Sequence, residues 1–128
     1  MKAYITCPLA NSKDKLHLLP VVEAAAKAEG LDTFVFIIGG APPAEIFERD
    51  YNQIKSSDLI IAEVSEPSHG VGIEIGLSYA LGLKRILLVE EGRRLSSLLQ
   101  GMPDTIIIEY KDVEELIDKL RTVVRKLV

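Results

Sequence analysis

The chain has 128 residues, 48% of them hydrophobic and 27% charged, the proportions of an ordinary globular domain long enough for one core. Fifteen Lys and Arg against nineteen Asp and Glu leave a net charge of −4, and Trp is absent, which together disfavour a nucleic acid as partner. A single Cys excludes an internal disulfide framework, no apolar run approaches the length of a membrane span, and the first residues lack the apolar stretch of a secretory signal. We therefore expect one cytoplasmic domain over residues 1–128, with no membrane and no nucleic-acid partner.

Lys2 to Cys7 reads as a first strand, followed by a loop at Pro8, Leu9, Ala10 and Asn11. Asn11 or Ser12 is placed to cap a helix that runs towards Glu29, with a kink expected at Pro20 and a stop at Gly30. Thr33 to Ile38 is a second strand, and Gly39 to Pro43 a turn into a helix over Ala44 to Ser57. On that helix Ile46, Phe47, Asp50, Tyr51 and Ile54 form one stripe, so Asp50 is a carboxylate in apolar company. It either pairs with Arg49 or Lys55 at the surface or belongs to a site, where desolvation would raise its pKa and let it carry a proton.

Leu59 to Val64 is an apolar run with the look of a buried parallel strand, and a Gly-rich segment follows it from Ser65 to Gly76. The helix beyond places Ile75, Tyr79 and Gly82 on one side and Glu74, Leu77, Ser78 and Leu81 on another. In an open parallel sheet the loop at the carboxyl end of a strand is where ligands sit. Gly70 and Gly72 would let backbone approach a ligand, with Glu74 in the first helical turn. Three readings of Glu74 stand open on spacing alone: a carboxylate complementing the helix dipole, a catalytic carboxylate, or part of a loosened dinucleotide loop with Glu90 further on. The five residues between strand end and Gly70, and the repulsion between Glu74 and a pyrophosphate, argue against the dinucleotide.

Lys84 and Arg85 precede a strand over Ile86 to Val89, and Glu90 to Arg94 reads as a solvated charged loop. Leu95 to Gly101 is a short helix, Thr105 to Tyr110 the last strand, and the chain closes with an amphipathic helix from Asp112, acidic early and basic late. Strands alternating with helices define the fold class: α/β, a Rossmann- or flavodoxin-like three-layer sandwich with a five-stranded parallel sheet. Nothing in the pattern asks for a metal or another cofactor. Cys7, with no His near it in sequence, reads as a buried bystander.

The run Asp58-Leu-Ile-Ile-Ala-Glu-Val-Ser-Glu-Pro-Ser-His-Gly-Val-Gly-Ile-Glu-Ile-Gly76 resembles the signature of the nucleoside 2-deoxyribosyltransferase family. It is most similar to the branch of 2′-deoxynucleoside 5′-phosphate N-hydrolases, and Arg49-Asp50 precedes it at the family's spacing. The resemblance implies that Glu74 is a nucleophile forming a covalent 2-deoxyribosyl intermediate, and that Asp50 is the acid for the departing base. It implies that Tyr4 crowds the 2′ face of the sugar, and that Ser96 reaches the phosphate in a neighbouring subunit of a homodimer. The substrate-binding set it suggests is Tyr4, Pro8, Leu9, Lys13, Ser68, Gly70, Gly72 and Ser96. Ser68 points to a 5′-monophosphate, because the transferases acting on free nucleosides carry an aspartate there. The segment after the first strand departs from the hydrolases, which have a Gly- and Arg-rich phosphate cradle; here only Lys13 and a helix start offer themselves. Base exchange on free deoxynucleosides and a non-catalytic nucleotide-binding module are the alternatives.

Overall fold

The computed structural model describes residues 1–9, 13–36 and 40–128. Its strands are β1 (Lys2–Thr6), β2 (Asp32–Val35), β3 (Leu59–Glu63), β4 (Lys84–Glu90) and β5 (Thr105–Tyr110). They alternate with α1 (Leu18–Ala28), α2 (Pro43–Lys55), α3 (His69–Ala80), α4 (Ser97–Gln100) and α5 (Val113–Leu127). The sheet order is β2-β1-β3-β4-β5, and every neighbouring pair is parallel. The period-two alternation of side chains sorts the core into two layers. Ala3, Ile5, Leu59 and Ile61 pack towards α1 and α5. Tyr4, Ile60, Ala62 and Leu87 pack with Ile54 of α2 and with Val71 and Ile75 of α3. The expected three-layer parallel sandwich is the fold observed.

The order of connection fixes where a site can form. From β1 the chain steps outward to β2, then returns past β1 to β3, so connections leave β1 and β3 in opposite directions. Their carboxyl ends flank the crevice that parallel α/β sheets use for ligands.

Several local expectations change. α1 begins at Leu18, after consecutive tight turns from Lys13 to Leu19 (Leu16 N–H to Lys13 O, 3.2 Å; Leu18 N–H to Lys15 O, 3.0 Å). Pro20 thus lies in the first helical turn, where an N–H would have no intrahelical acceptor, and the expected kink loses its cause. The expected caps Asn11 and Ser12 lie outside the described residues, as do Ala10 and Ile37, Ile38 and Gly39 of the second strand and turn. On α3 the buried face is Val71, Ile75 and Ser78, and Tyr79 is exposed. Gly70 and Gly72 lie inside that helix, not in a loop before it.

β4 starts earlier than its apolar run, at Lys84, and takes in a buried arginine. The Arg85 guanidinium donates to Thr105 Oγ1 (2.9 Å), Ser78 Oγ (3.3 Å), Leu83 O (2.9 Å) and Pro103 O (2.5 Å), and lies 5.4 Å from the centroid of the Tyr79 ring. It stitches the end of α3, β4 and the approach to β5 together at the sheet's amino-terminal edge. Arg85→Met should leave those acceptors unpaired and cost about 3 kcal/mol. Urea denaturation should show a lower midpoint at unchanged slope.

Candidate active site

Tyr4 and Thr6 are two positions apart on β1 and share the face that looks towards α3. Glu74, in the second turn of α3, reaches back to both. Its Oε1 accepts from the Thr6 hydroxyl at 3.0 Å, and its Oε2 accepts from the Tyr4 hydroxyl. The Tyr4 ring is fully buried and stacks on Phe34 with centroids 5.7 Å apart, so its hydroxyl is held in place from below. Glu74 is thereby the one carboxylate of α3 aimed into the fold at the carboxyl ends of β1 and β3.

Burial pushes the Glu74 carboxyl up to about 7; the hydrogen bonds from Tyr4 and Thr6 pull the other way, and the charge of Asp50 adds to the rise. The sequence suggests that N–H groups at the helix start hold Glu74 ionised. That expectation fails, because Glu74 is the sixth residue of α3 and its partners are two hydroxyls. It also removes the reading of Glu74 as a dipole-complementing residue of the first turn, since that turn of α3 holds no acid.

Glu74 opens onto a cavity of about 490 Å³ between α2 and α3. Asp50 lines the same cavity, and its Oδ1 accepts from Arg49 Nε at 3.0 Å. Asp50 thus both pairs with Arg49 and lines the cavity. Apart from Asp50, the α2 wall is apolar: Pro43, Ile46, Phe47, Tyr51 and Ile54, with Phe47 and Tyr51 stacked at 6.0 Å. Ile73 and Leu77 face them from α3. Leu9, Ser68 and Gly70 also line it. Ser68 is the N-cap of α3, its Oγ accepting from the Val71 N–H at 3.3 Å. Cys7 lines the cavity too, but burial, then the charges of Glu63 and Glu74, push its thiol up to about 12, so it carries no thiolate at neutral pH.

Of the residues singled out from sequence, Glu74, Asp50, Leu9, Ser68 and Gly70 therefore meet around one cavity, and Tyr4 acts on it through Glu74. Pro8 is buried outside the cavity wall, and Lys13 is exposed and lines no part of it. Gly72 and Ser96 line a second groove, of about 530 Å³, on the far side of the Ser68 segment; there Ser96 caps α4, its Oγ accepting from the Leu98 N–H at 3.2 Å. Glu90, the acid of the dinucleotide reading, is engaged by Lys15 at 2.7 Å and Arg93 at 3.1 Å. Thr6 was not picked out from sequence. The signal was available, because it is the strand position that shares Tyr4's face. No cluster of three or more His, Cys, Asp or Glu suited to a metal ion occurs among the described residues, and no helix among them is long and apolar enough to cross a membrane.

Fold and site together define a class: a flavodoxin-like α/β domain with a half-buried carboxylate, held by hydroxyls, at the switch point of its sheet. The chain belongs to the nucleoside 2-deoxyribosyltransferase family, whose model matches residues 3–116. It is 30% identical over 132 residues to a Thermofilum pendens protein named 2′-deoxynucleoside 5′-phosphate N-hydrolase 1, covering 94% of this chain and 92% of that one. A mouse protein named 5-hydroxymethyl-dUMP N-hydrolase is 41% identical over 72 residues, 55% of this chain and 42% of the mouse chain, so the chain matches less than half the length of that relative. Among solved structures, a Clostridium botulinum CMP N-glycosidase superposes with a TM-score of 0.79 at 25% identity, covering 96% of this chain and 99% of that one.

The two hydroxyls favour the ionised form of Glu74, so removing one should raise its pKa further. Tyr4→Phe is expected to move the Glu74 titration, followed by carbon NMR of the labelled carboxyl, to a value above about 7. An unchanged titration would show that Tyr4 does not hold this carboxylate.

Proposed function

We propose that the protein hydrolyses the N-glycosidic bond of 2′-deoxynucleoside 5′-monophosphates, releasing the free base and 2-deoxyribose 5-phosphate. The observation that carries this reading is the meeting of Glu74 and Asp50 at one largely apolar cavity. The names of the relatives support the same chemistry. In the first step a Glu74 oxygen bonds to C1′ while the C1′–N bond breaks; its electron pair leaves on the base, which takes a proton from Asp50. In the second step water attacks C1′, Asp50 takes its proton, and the C1′–O bond breaks with its electron pair returning to Glu74. This is the two-carboxylate logic of retaining glycosidases applied to a nucleotide. The aromatic and aliphatic wall of α2 and α3 suits the flat base, and Ser68 with the unpartnered N–H groups of the α3 start suits the phosphate. Tyr4 is fully buried and outside the cavity wall, so it bears on the sugar only through its hydrogen bond to Glu74.

The second groove supports the homodimer. Its floor is apolar (Leu95, Leu99 and Met102), Leu98 stands 83% exposed at its edge, and Ser68 and Ser96 both line it. A second copy seated there would cover that surface and bring Ser96 to its neighbour's phosphate. On this reading the protein works in cytoplasmic nucleotide metabolism.

Base exchange on free deoxynucleosides is the second reading. It is favoured by Lys13 standing away from the cavity and by the absence of Lys or Arg from the cavity wall among the described residues.

Glu74→Ala should abolish base release from dGMP and its congeners, followed by chromatography, while the folded protein keeps its nucleotide binding. Asp50→Asn should slow release by about 10²–10⁴-fold, and least for substrates with an activated leaving base. A folded Glu74→Ala protein with near wild-type turnover would overturn the nucleophile assignment. Binding without turnover by the wild type would leave a nucleotide-binding module.

Ser68→Asp tests the phosphate. Aspartate is as good an N-cap as serine, so α3 should stay intact. The new charge opposes a phosphate and offers an acceptor to a free 5′-hydroxyl. The wild type should cleave monophosphates faster than nucleosides, and the variant should lose about 10- to 150-fold of that preference, the scale of one hydrogen bond to a charged group. A wild type that prefers free nucleosides and passes the sugar to a second base is a transferase.

A further inference from the structure

Behind the cavity, on the α1 and α5 face of the sheet, lies a carboxylate that the reaction does not use. Glu63 ends β3 and is 2% exposed. Its Oε1 accepts from the Ser65 N–H at 2.7 Å, and its Oε2 accepts from the Ser65 hydroxyl at 2.7 Å and from the Tyr110 hydroxyl of β5. The Ser65 hydroxyl oxygen in turn accepts from the Glu90 N–H at the end of β4, at 2.8 Å. The Glu90 carboxylate then holds the buried Lys15 ahead of α1. None of the ion pairs among the described residues involves Glu63.

A buried carboxylate without a cation is a poor device for stability, since a well-packed apolar side chain serves as well or better. What it can do, and leucine cannot, is catch backbone. The Val64 N–H still bonds in the ladder, to Leu88 O at 2.8 Å. At Ser65 the chain leaves the sheet, and Glu63 takes the N–H that the ladder no longer serves. Three residues later stands Ser68, the cap of α3, and six beyond it Glu74. Tyr110 and the Glu90 N–H tie the same point to β5 and β4. The turn that launches α3 is thereby anchored on three strands.

We propose that Glu63 is a positioning residue: with Ser65 and Tyr110 it fixes the direction in which residues 65–68 leave the sheet, and through them the placement of Glu74 opposite Asp50. The proposal rests on the reading of Glu74 as the reacting carboxylate.

The test replaces both buried partners with apolar groups. Glu63→Leu combined with Tyr110→Phe removes the buried charge and the Tyr110 hydroxyl together, so its Tm should fall only by what the two Ser65 donors cost. The Ser65 N–H and hydroxyl lose their acceptor. The kcat for deoxynucleotide cleavage should fall about 10²-fold, the usual consequence of a small misplacement of reacting groups. Amide hydrogen exchange at residues 65–71 should rise about tenfold or more while exchange in β3 and β4 stays as it was. Glu63→Gln should keep kcat within about threefold, because its carbonyl can accept from the Ser65 N–H and the two hydroxyls can turn to accept from its amide. A folded double variant with wild-type kcat, or with wild-type exchange at 65–71, overturns the proposal. If the double variant does not fold, Tyr110→Phe alone decides by the same exchange measurement, at a smaller rise. If the wild type releases no base from any deoxynucleotide, the reaction assigned to the site fails, and exchange at 65–71 still decides the anchor.

Discussion

The arrangement depends on a half-buried carboxylate held by two hydroxyls. Glu74 is driven towards its protonated form by burial and towards its ionised form by Tyr4 and Thr6, and the balance lies near neutrality. A carboxyl whose folded pKa is raised binds its proton more tightly in the native state than in the unfolded chain. Its ionisation therefore weakens the fold progressively as pH rises from the ordinary carboxylate value to about 7. The strain is local, and its location is the fold's switch point. Tyr4 and Thr6 reach Glu74 because β1 and β3 are neighbours with parallel register, Tyr4 beside Ile60 and Thr6 beside Ala62. A one-residue slip of β1 would turn both hydroxyls to the α1 face and leave the carboxylate with neither.

The sheet itself carries another carboxylate, the buried Glu63, whose work is opposite in kind. Glu74 faces the cavity with hydrogen bonds that a substrate can replace or share. Glu63 faces away and spends its hydrogen bonds on the protein itself. Both charges act on the Cys7 thiol. On the proposed reading, the contrast separates a group that changes its bonding during a reaction from one that does not. A hydroxyl-held carboxylate near neutral pKa suits the first, and a carboxylate saturated by a backbone N–H and two hydroxyls suits the second.

The fold was legible because the strand cores, such as Leu-Ile-Ile-Ala in β3, are apolar runs that only a sheet covered on both faces can bury. Glu74 and Asp50 were legible as carboxylates in apolar company and by likeness to a family motif. What spacing could not show was who holds them. The Tyr4 and Thr6 contacts span about seventy positions of chain and arise from strand order, which local pattern does not encode. The same blindness put Glu74 one turn too early, since the Ser68 cap, and not the glycines, starts α3. Pro20 misled for a related reason: the tight turns after Lys13 delay α1, turning an interior proline into a first-turn one. Arg85 looked like a flanking charge because sequence cannot show that four acceptors converge on it.

Under the proposed reading, the chemistry of the phosphate end follows from the same electrostatics. A dianion bound within several ångströms of Glu74 would raise its pKa further, and the nucleophile has to be ionised. Donors carrying no net charge, the Ser68 hydroxyl and the first N–H groups of α3, can bind the phosphate, but they offset its field only in part. The two hydroxyls on Glu74 then act against the substrate's own charge. Losing either would matter more with a monophosphate bound than in the empty site. Tyr4 and Thr6 thus serve to keep a nucleophile usable beside the anion it must accept, which a plain deoxynucleoside would not demand.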